Sequence, residues 1–419
     1  MFSDDPPPSY DFDECLPSPA YSAVIGSTEH LLQCELPSIT GCPGCDWIME
    51  TKHMKINLGP RMWGLSAPSY GLNSCVDGSI SLYGDSDRVE CITVTLEGSM
   101  KIGLAHRGSL SGHSVLPIIS RTIQLYNAAT SIPLQTDQQH FFTIAMPSDV
   151  EIRGQMTPTP PSFYSLHQNV SCEIFYALKF RMMRKGKGLK RNETKNIKIL
   201  YLPKSRPSEP PLATIPRPSR NLADRLERIK TVTLHPCLCK TKTRDVNLNS
   251  FYDAIFLSLP SPQCFTSGES IPFSLSLVFP ENPAVGKLLM RNTRVQLLRR
   301  LRITKGALAE TIQRDTVLSS SQVRHAKEYT EGVNILRGSI QAGSAGGESS
   351  WQIQGVSVEY VLRATLRPPE NLIGHIPSFR HEEILQIKTD HWGTLERELN
   401  SIGTPAPALG LARRLRPDC

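Results

Sequence analysis

At 419 residues the chain is too long for one ordinary domain and suits two domains plus tails. Its formal net charge is +7 with acids and bases mixed along most of its length, which argues against a dedicated nucleic-acid binder. The eleven cysteines, odd in number and widely scattered, fit a reducing compartment rather than a disulfide framework.

Residues 1–50 read as a disordered tail. Pro6, Pro7, Pro8, Pro17 and Pro19 stand among Asp, Glu and Ser, and so little apolar surface cannot offset the entropy of ordering. Met1 to Glu14 has neither a basic start nor an apolar stretch, so no secretory signal is expected. No apolar run is long enough to cross a bilayer. Pro7-Pro8-Ser9-Tyr10 is a Pro-Pro-x-Tyr (PPxY) sequence, the polyproline II ligand that WW domains grip with an aromatic slot and a Tyr pocket. Pro17-Ser18-Pro19-Ala20-Tyr21 lacks the adjacent proline pair.

Cys42-Pro43-Gly44-Cys45 is the one enzyme-like signal, a Cys-x-x-Cys of the kind used in thiol redox centres and half zinc sites. Redox use needs a βαβ setting that the surrounding sequence does not supply. Zinc needs two further ligands, and only Cys34 and His53 are near. No Gly-rich phosphate loop, nucleophile elbow or His-Glu-x-x-His pattern occurs, and no metal, cofactor or catalytic residue is expected.

From residue 51 to 205 the pattern is one of short strands. Val76 to Leu82 reads as a turn into a strand, Ile92, Val94 and Leu96 alternate until Gly98 ends the run, and Phe142, Ile144 and Met146 lead to Pro147. Pro160-Pro161-Ser162-Phe163 then introduces a long alternation of Val170, Cys172, Ile174, Tyr176, Leu178, Phe180 and Met182. A basic hairpin tip follows, and the chain returns through Ile197, Ile199 and Tyr201. Asn169-Val170-Ser171 and Asn192-Glu193-Thr194 match the glycosylation pattern but are silent in a cytosolic protein.

Residues 206–230 read as a Pro-rich linker closed by a short helix over 221–230, with Asn221 as cap and Leu222, Leu226 and Ile229 at helical spacing. A second β block spans 231–395. Phe273, Leu275, Leu277 and Phe279 alternate in it, as do Val356, Val358, Tyr360, Leu362, Ala364 and Leu366, and Gly343, Gly346 and Gly347 mark a loop. His235-Pro236-Cys237-Leu238-Cys239 reads as a strand edge, and residues 396–419 as a short tail.

The Pro-Pro-Ser-Phe turn with its two long strands resembles the end of the N-terminal sandwich of the arrestin family. Ser267-Gly268-Glu269-Ser270-Ile271-Pro272-Phe273 resembles the first strand of the family's second sandwich. The likeness runs over roughly residues 55 to 395. It implies an all-β fold of two immunoglobulin-like arrestin β-sandwiches in tandem. With Pro7 to Tyr10 it points to the α-arrestins, the fungal-type arrestin-related trafficking adaptors. That resemblance implies a cytoplasmic, non-enzymatic adaptor, recruited peripherally to plasma membrane and endosomes. It would bring a WW-domain HECT-type ubiquitin ligase to transporter or receptor tails and promote ubiquitination and endocytosis. The alternatives are a ligase-independent trafficking scaffold similar to retromer's arrestin-fold subunit and, from another class, a thiol redox enzyme using Cys42 and Cys45.

Two features depart from that family. Its Pro-Pro-x-Tyr copies often lie in a long C-terminal tail, whereas here the clear copy is N-terminal, and the tail after His391 has no clathrin-box-like motif. Arg181, Arg184, Lys185, Lys187, Lys190 and Arg191 form a candidate patch for phosphorylated cargo or an anionic lipid surface. The plainer reading of that patch is a hairpin tip kept charged against edge pairing.

Overall fold

The computed structural model describes residues 46–83, 88–106, 109–129, 138–167, 170–185, 192–215, 228–237, 251–305, 310–321, 325–373, 375–395, 405–413 and 415. Pro7, Pro8, Ser9, Tyr10, Cys42 and Cys45 lie outside them, as do Lys187, Lys190 and Arg191. Among the described residues no helix is long and apolar enough to cross a membrane.

The first half of the fold runs β1 (Asp46–Glu50), β2 (Met54–Pro60), β3 (Ser69–Tyr70), β4 (Cys75–Leu82), β5 (Val89–His106) and β6 (Ser109–Asn127). It continues with β7 (Gln139–Ala145), β8 (Asp149–Ile152), β9 (Gln155–Pro158), β10 (Phe163–His167), β11 (Val170–Arg184) and β12 (Glu193–Tyr201). One sheet has the order β1-β2-β4-β7. The other has the order β3-β12-β11-β5-β6, with β10 added to β11. The period-two alternation in β11 is matched by burial, since its inward residues from Val170 to Met182 are at most 3% exposed. Phe180 on β11 meets Phe142 on β7 edge-on at 5.6 Å, closing the space between the sheets.

Gly98 does not end its strand; β5 runs on to His106. Its register partner is Tyr176, and a methyl built on Gly98 would lie 2.7 Å from Tyr176 Cε1, so the glycine gives the ring its room. Opposite it, β6 carries an extra residue, Ile118, between the partners of Gly98 and Ser99. Gly98→Ala is expected to cost about 1–3 kcal/mol by overpacking. An unchanged midpoint in a denaturant melt would mean that the ring shifts freely and would refute the assignment.

The second half holds β13 (Ile229–Thr233), β14 (Pro236–Cys237), β15 (Ile255–Pro260), β16 (Cys264–Thr266), β17 (Ser270–Val278), α1 (Pro283–Arg291) and β18 (Thr293–Lys305). Then come β19 (Glu310–Ser321), β20 (His325–Thr330), β21 (Val333–Gln341), β22 (Trp351–Ile353), β23 (Val356–Leu366), β24 (Ser378–Lys388) and a helical turn, α2 (Leu409–Ala412). The sheets are β13-β15-β17-β21-β20 and β14-β24-β23-β18-β19, the latter joined by β16 and β22. These two sandwiches in tandem are the all-β architecture expected from the strand patterns. Pro272 is accommodated in β17 because β15 pairs only from Ser274 onward, leaving that side open beside the proline.

Two local expectations need correction. Asp46–Glu50, read as the end of a disordered tail, form β1, because they pair antiparallel with β2. Ile229 and Lys230 open strand β13 instead of closing a helix, because Ile229 to Thr233 pair in register with β15. Residues 216–227, the rest of that predicted helix, lie outside the described residues. A helix does occur at Pro283–Arg291, with proline in the first turn and Val285 and Leu289 buried four residues apart on one face.

Candidate functional site

Two segments tie the sandwiches together. Past β12, the linker runs against the chain past β24 in a reciprocal seam. Ser205 N donates to Thr389 Oγ1 at 2.8 Å, and Thr389 N returns a bond to Ser205 Oγ at 3.2 Å. Asp390 N donates to Ser205 O at 3.0 Å, while Lys204 Nζ stands 3.4 Å from Asp390 Oδ1. Arg206 Nε reaches Thr394 Oγ1 at 2.9 Å. The backbone and side chain of Ser205, and the side chains of Lys204 and Arg206, are thus met from the second sandwich.

The second tie is the C-terminal segment, which sequence reasoning took for a tail. Ala408 N donates to Leu202 O at 2.8 Å, and Ala408 packs with Ala67, Leu200 and Leu202 in a small core that Leu411 and Leu415 flank. On its other side Gly410 crosses the loop at Gly346 so closely that a Cβ would fall 2.4 Å from Gly346 C.

Beside the second tie lies a cleft with a volume of about 30 Å³, enough for one or two waters. Phe163, Tyr164, Arg299, Trp351 and Tyr360 are among the residues that line it, beneath Leu411 and Leu415. The Pro-Pro-Ser-Phe motif forms its first wall. Ser162 N donates to Tyr201 O at 2.8 Å, Ser162 Oγ accepts from Tyr201 N at 2.9 Å, and Tyr176 Oη donates to Pro160 O at 2.6 Å. The motif is therefore pinned to β11 and β12, and Phe163 is aimed across the gap at Trp351, edge-on at 5.0 Å.

The opposite wall is polar at its base. Tyr360 Oη donates to Glu348 Oε2 at 2.7 Å and accepts from Ser349 N at 3.1 Å. Glu348 N donates to Ser267 Oγ, which in turn donates to Ser344 O at 2.6 Å. Burial pushes the Tyr360 phenol well above its usual range, partly opposed by Arg299 and the Ser349 amide. It stays a neutral donor throughout the physiological range. Burial also lowers the Arg299 guanidinium, with Tyr360 acting the other way.

The basic hairpin is described only in part. Arg181 is exposed on β11, between Thr93 and Thr194, Arg184 ends that strand and Lys185 follows it. Acidic groups accompany them: Glu193 accepts from or pairs with His53 at 3.0 Å, and Arg181 acts on Cys91 against Glu90. Around its described members, acidic side chains thus stand beside the basic ones. The sequence reading names Tyr360 only as a core strand residue and misses Arg299 and Glu348, although one signal was present. Val295, Leu297, Leu301 and Ile303 alternate on β18 with Arg299 standing in their row.

Neither a protein-family model nor a curated protein matches the sequence. Among solved structures the chain is similar to the crystal structure of squid arrestin, with TM-score 0.37 and 11% identity over 82% of this chain and 97% of that chain. That score is too low to carry an argument, and the fold rests on the sheet topology described above.

Proposed function

We propose that the chain is an arrestin-type adaptor without chemistry of its own, linking a WW-domain HECT-type ubiquitin ligase to membrane cargo. The supporting observation is a combination. Two tandem β-sandwiches tied by a double seam follow an acidic, Pro-rich segment that holds a Pro-Pro-x-Tyr ligand. In this reading Pro7 and Pro8 fill the aromatic groove of the WW domain, Tyr10 fills the adjoining pocket and Ser9 faces solvent. The sandwiches present transporter or receptor tails at the cytosolic face of plasma membrane and endosomes. Ubiquitination and internalisation of the cargo follow.

The test is recovery of WW-domain ligases by the intact chain and by Tyr10→Ala. Truncating a nearly fully buried ring is expected to cost about 2 kcal/mol or more, at least a tenfold loss of affinity. Phosphorylated Tyr10 should not bind, since a dianion cannot be desolvated in that pocket. Equal recovery by both proteins would sink the ligase mechanism and favour a ligase-independent trafficking scaffold.

A further inference from the structure

Arg299 breaks the pattern of its own strand. On β18 the residues Val295, Leu297, Arg299, Leu301 and Ile303 pair in register with Ala364, Leu362, Tyr360, Val358 and Val356. Apart from Arg299, every member of these two rows is apolar or aromatic and at most 4% exposed. Alternation calls for a leucine there, and the chain supplies a cation. The outward face of the same strand behaves differently. Arg300 bonds Asp315 and Glu382, and Arg302 stands 3.4 Å from Glu359. Arg299 has no ion pair and no side-chain hydrogen bond among the described residues, and it opens onto the cleft between the sandwiches.

Arg299 is half-buried, and a guanidinium held partly out of water without an ion pair is costly, so a sequence that retains one gains something else from it. We infer that Arg299 marks a binding site for a compact oxyanion, a carboxylate or phosphate group, entering the cleft between the two sandwiches. Room for one or two waters matches the two oxygens of a carboxylate, with the remainder of the ligand left outside past Phe163, Tyr164 and Trp351. The planar fork of Arg299 offers two parallel donors matched to the two oxygens of a carboxylate. Glu348 also lines the cleft, and its carboxylate, already accepting from Tyr360, opposes a second negative charge. A monoanionic carboxylate is therefore favoured over a phosphate dianion.

Thermal melts of the full chain test the site, with acetate or inorganic phosphate titrated against chloride at constant ionic strength. A saturable rise of about 2 °C is expected with acetate at tenfold excess over its half-saturation. Arg299→Leu should remove that rise and, by restoring the apolar row, melt at or above the unliganded parent. A rise with phosphate alone assigns the site to phosphate groups instead. No saturable rise with either anion, or the same rise in Arg299→Leu, overturns the proposal. Should the leucine variant fail to fold, Arg299→Lys keeps the charge and loses the fork. Its half-saturation should weaken at least tenfold, and an unchanged value would equally overturn the site.

Discussion

Glu382→Ala is expected to lower the unfolding free energy by about 3–5 kcal/mol, among the largest losses available to a surface-facing residue in this fold. Glu382 is the hub of a closed ring on the outer face of the seven-stranded sheet. Arg300 donates to both oxygens of Asp315 at 2.8 and 2.9 Å and to Glu382 at 2.7 Å. Arg363 donates to Glu382 at 2.8 Å and to Asp315 at 2.7 Å, and Arg380 adds a third guanidinium to Glu382. The two arginines cross over Leu298 and Val361, register partners that are fully buried although they point away from the core. Removing Glu382 takes one of two carboxylates from Arg300, whose side chain is only 5% exposed, and uncovers that apolar pair. Asp315→Ala should cost a similar amount, and the double variant less than the sum, because both deletions break one network. Replacing the whole ring with apolar residues should be neutral or stabilising.

The same ring fixes a pH dependence. Burial alone would raise the Glu382 carboxyl, but the hydrogen bonds from Arg380, Arg300 and Arg363 outweigh it and hold the group at about 2. Asp315 is lowered mainly by its bond from Arg300, against an opposing effect of burial. Unfolded carboxylates titrate near 4, so this stabilisation is complete above about pH 5 and is lost as pH falls toward 2. Denaturant melts of the parent and of Glu382→Gln should converge across that window. A constant difference between them down to pH 2 would contradict the assignment.

What the sequence disclosed follows the physics of each element. The inward rows of β11 and β23 were legible because each strand packs one face on a core, and period-two burial writes itself into residue choice. Gly98 was misread because a glycine that makes room for a ring looks the same as one that ends a strand. Helix α1 is nine residues long, and of its buried positions Val285, Gly286 and Leu289 only two carry apolar side chains, too few for a periodic signal to emerge. Ile229 and Lys230 carry helical spacing with Leu222 and Leu226, yet long-range pairing with β15 outweighs local propensity. Of the cleft, the Pro-Pro-Ser-Phe wall was visible as a motif. The polar base was not, because Ser267 and Glu348 lie in loops distant in sequence that meet beside Tyr360 of β23 only in the folded chain.

The C-terminal segment supplies the last expected result, which depends on a single hydrogen atom. At Gly410 an added methyl would meet Gly346 C at 2.4 Å, Gly346 O at 2.5 Å and Ala345 O at 2.9 Å. All three are backbone atoms, so no rotamer change relieves the contact. The opposing loop is itself held, because Gly346 adopts φ +65° and Ser267 Oγ bonds Ser344 O. Gly410→Ala must therefore lift the segment away. Leu411 and Leu415 then lose their packing beside Ala67, Leu200 and Leu202, and the Ala408–Leu202 hydrogen bond opens. The cost of exposing those side chains is about 2–4 kcal/mol. Hydrogen exchange at the Ala408 amide should accelerate well before the sheets themselves exchange, since the segment would open as a local unit. Unchanged melting together with unchanged Ala408 exchange would show that the crossing at Gly346 tolerates a side chain. The same variant would admit water to the cleft beneath Leu411 and Leu415, raising the local dielectric around Arg299. Any anion affinity that depends on desolvation should then fall without a single contact to the guanidinium being altered.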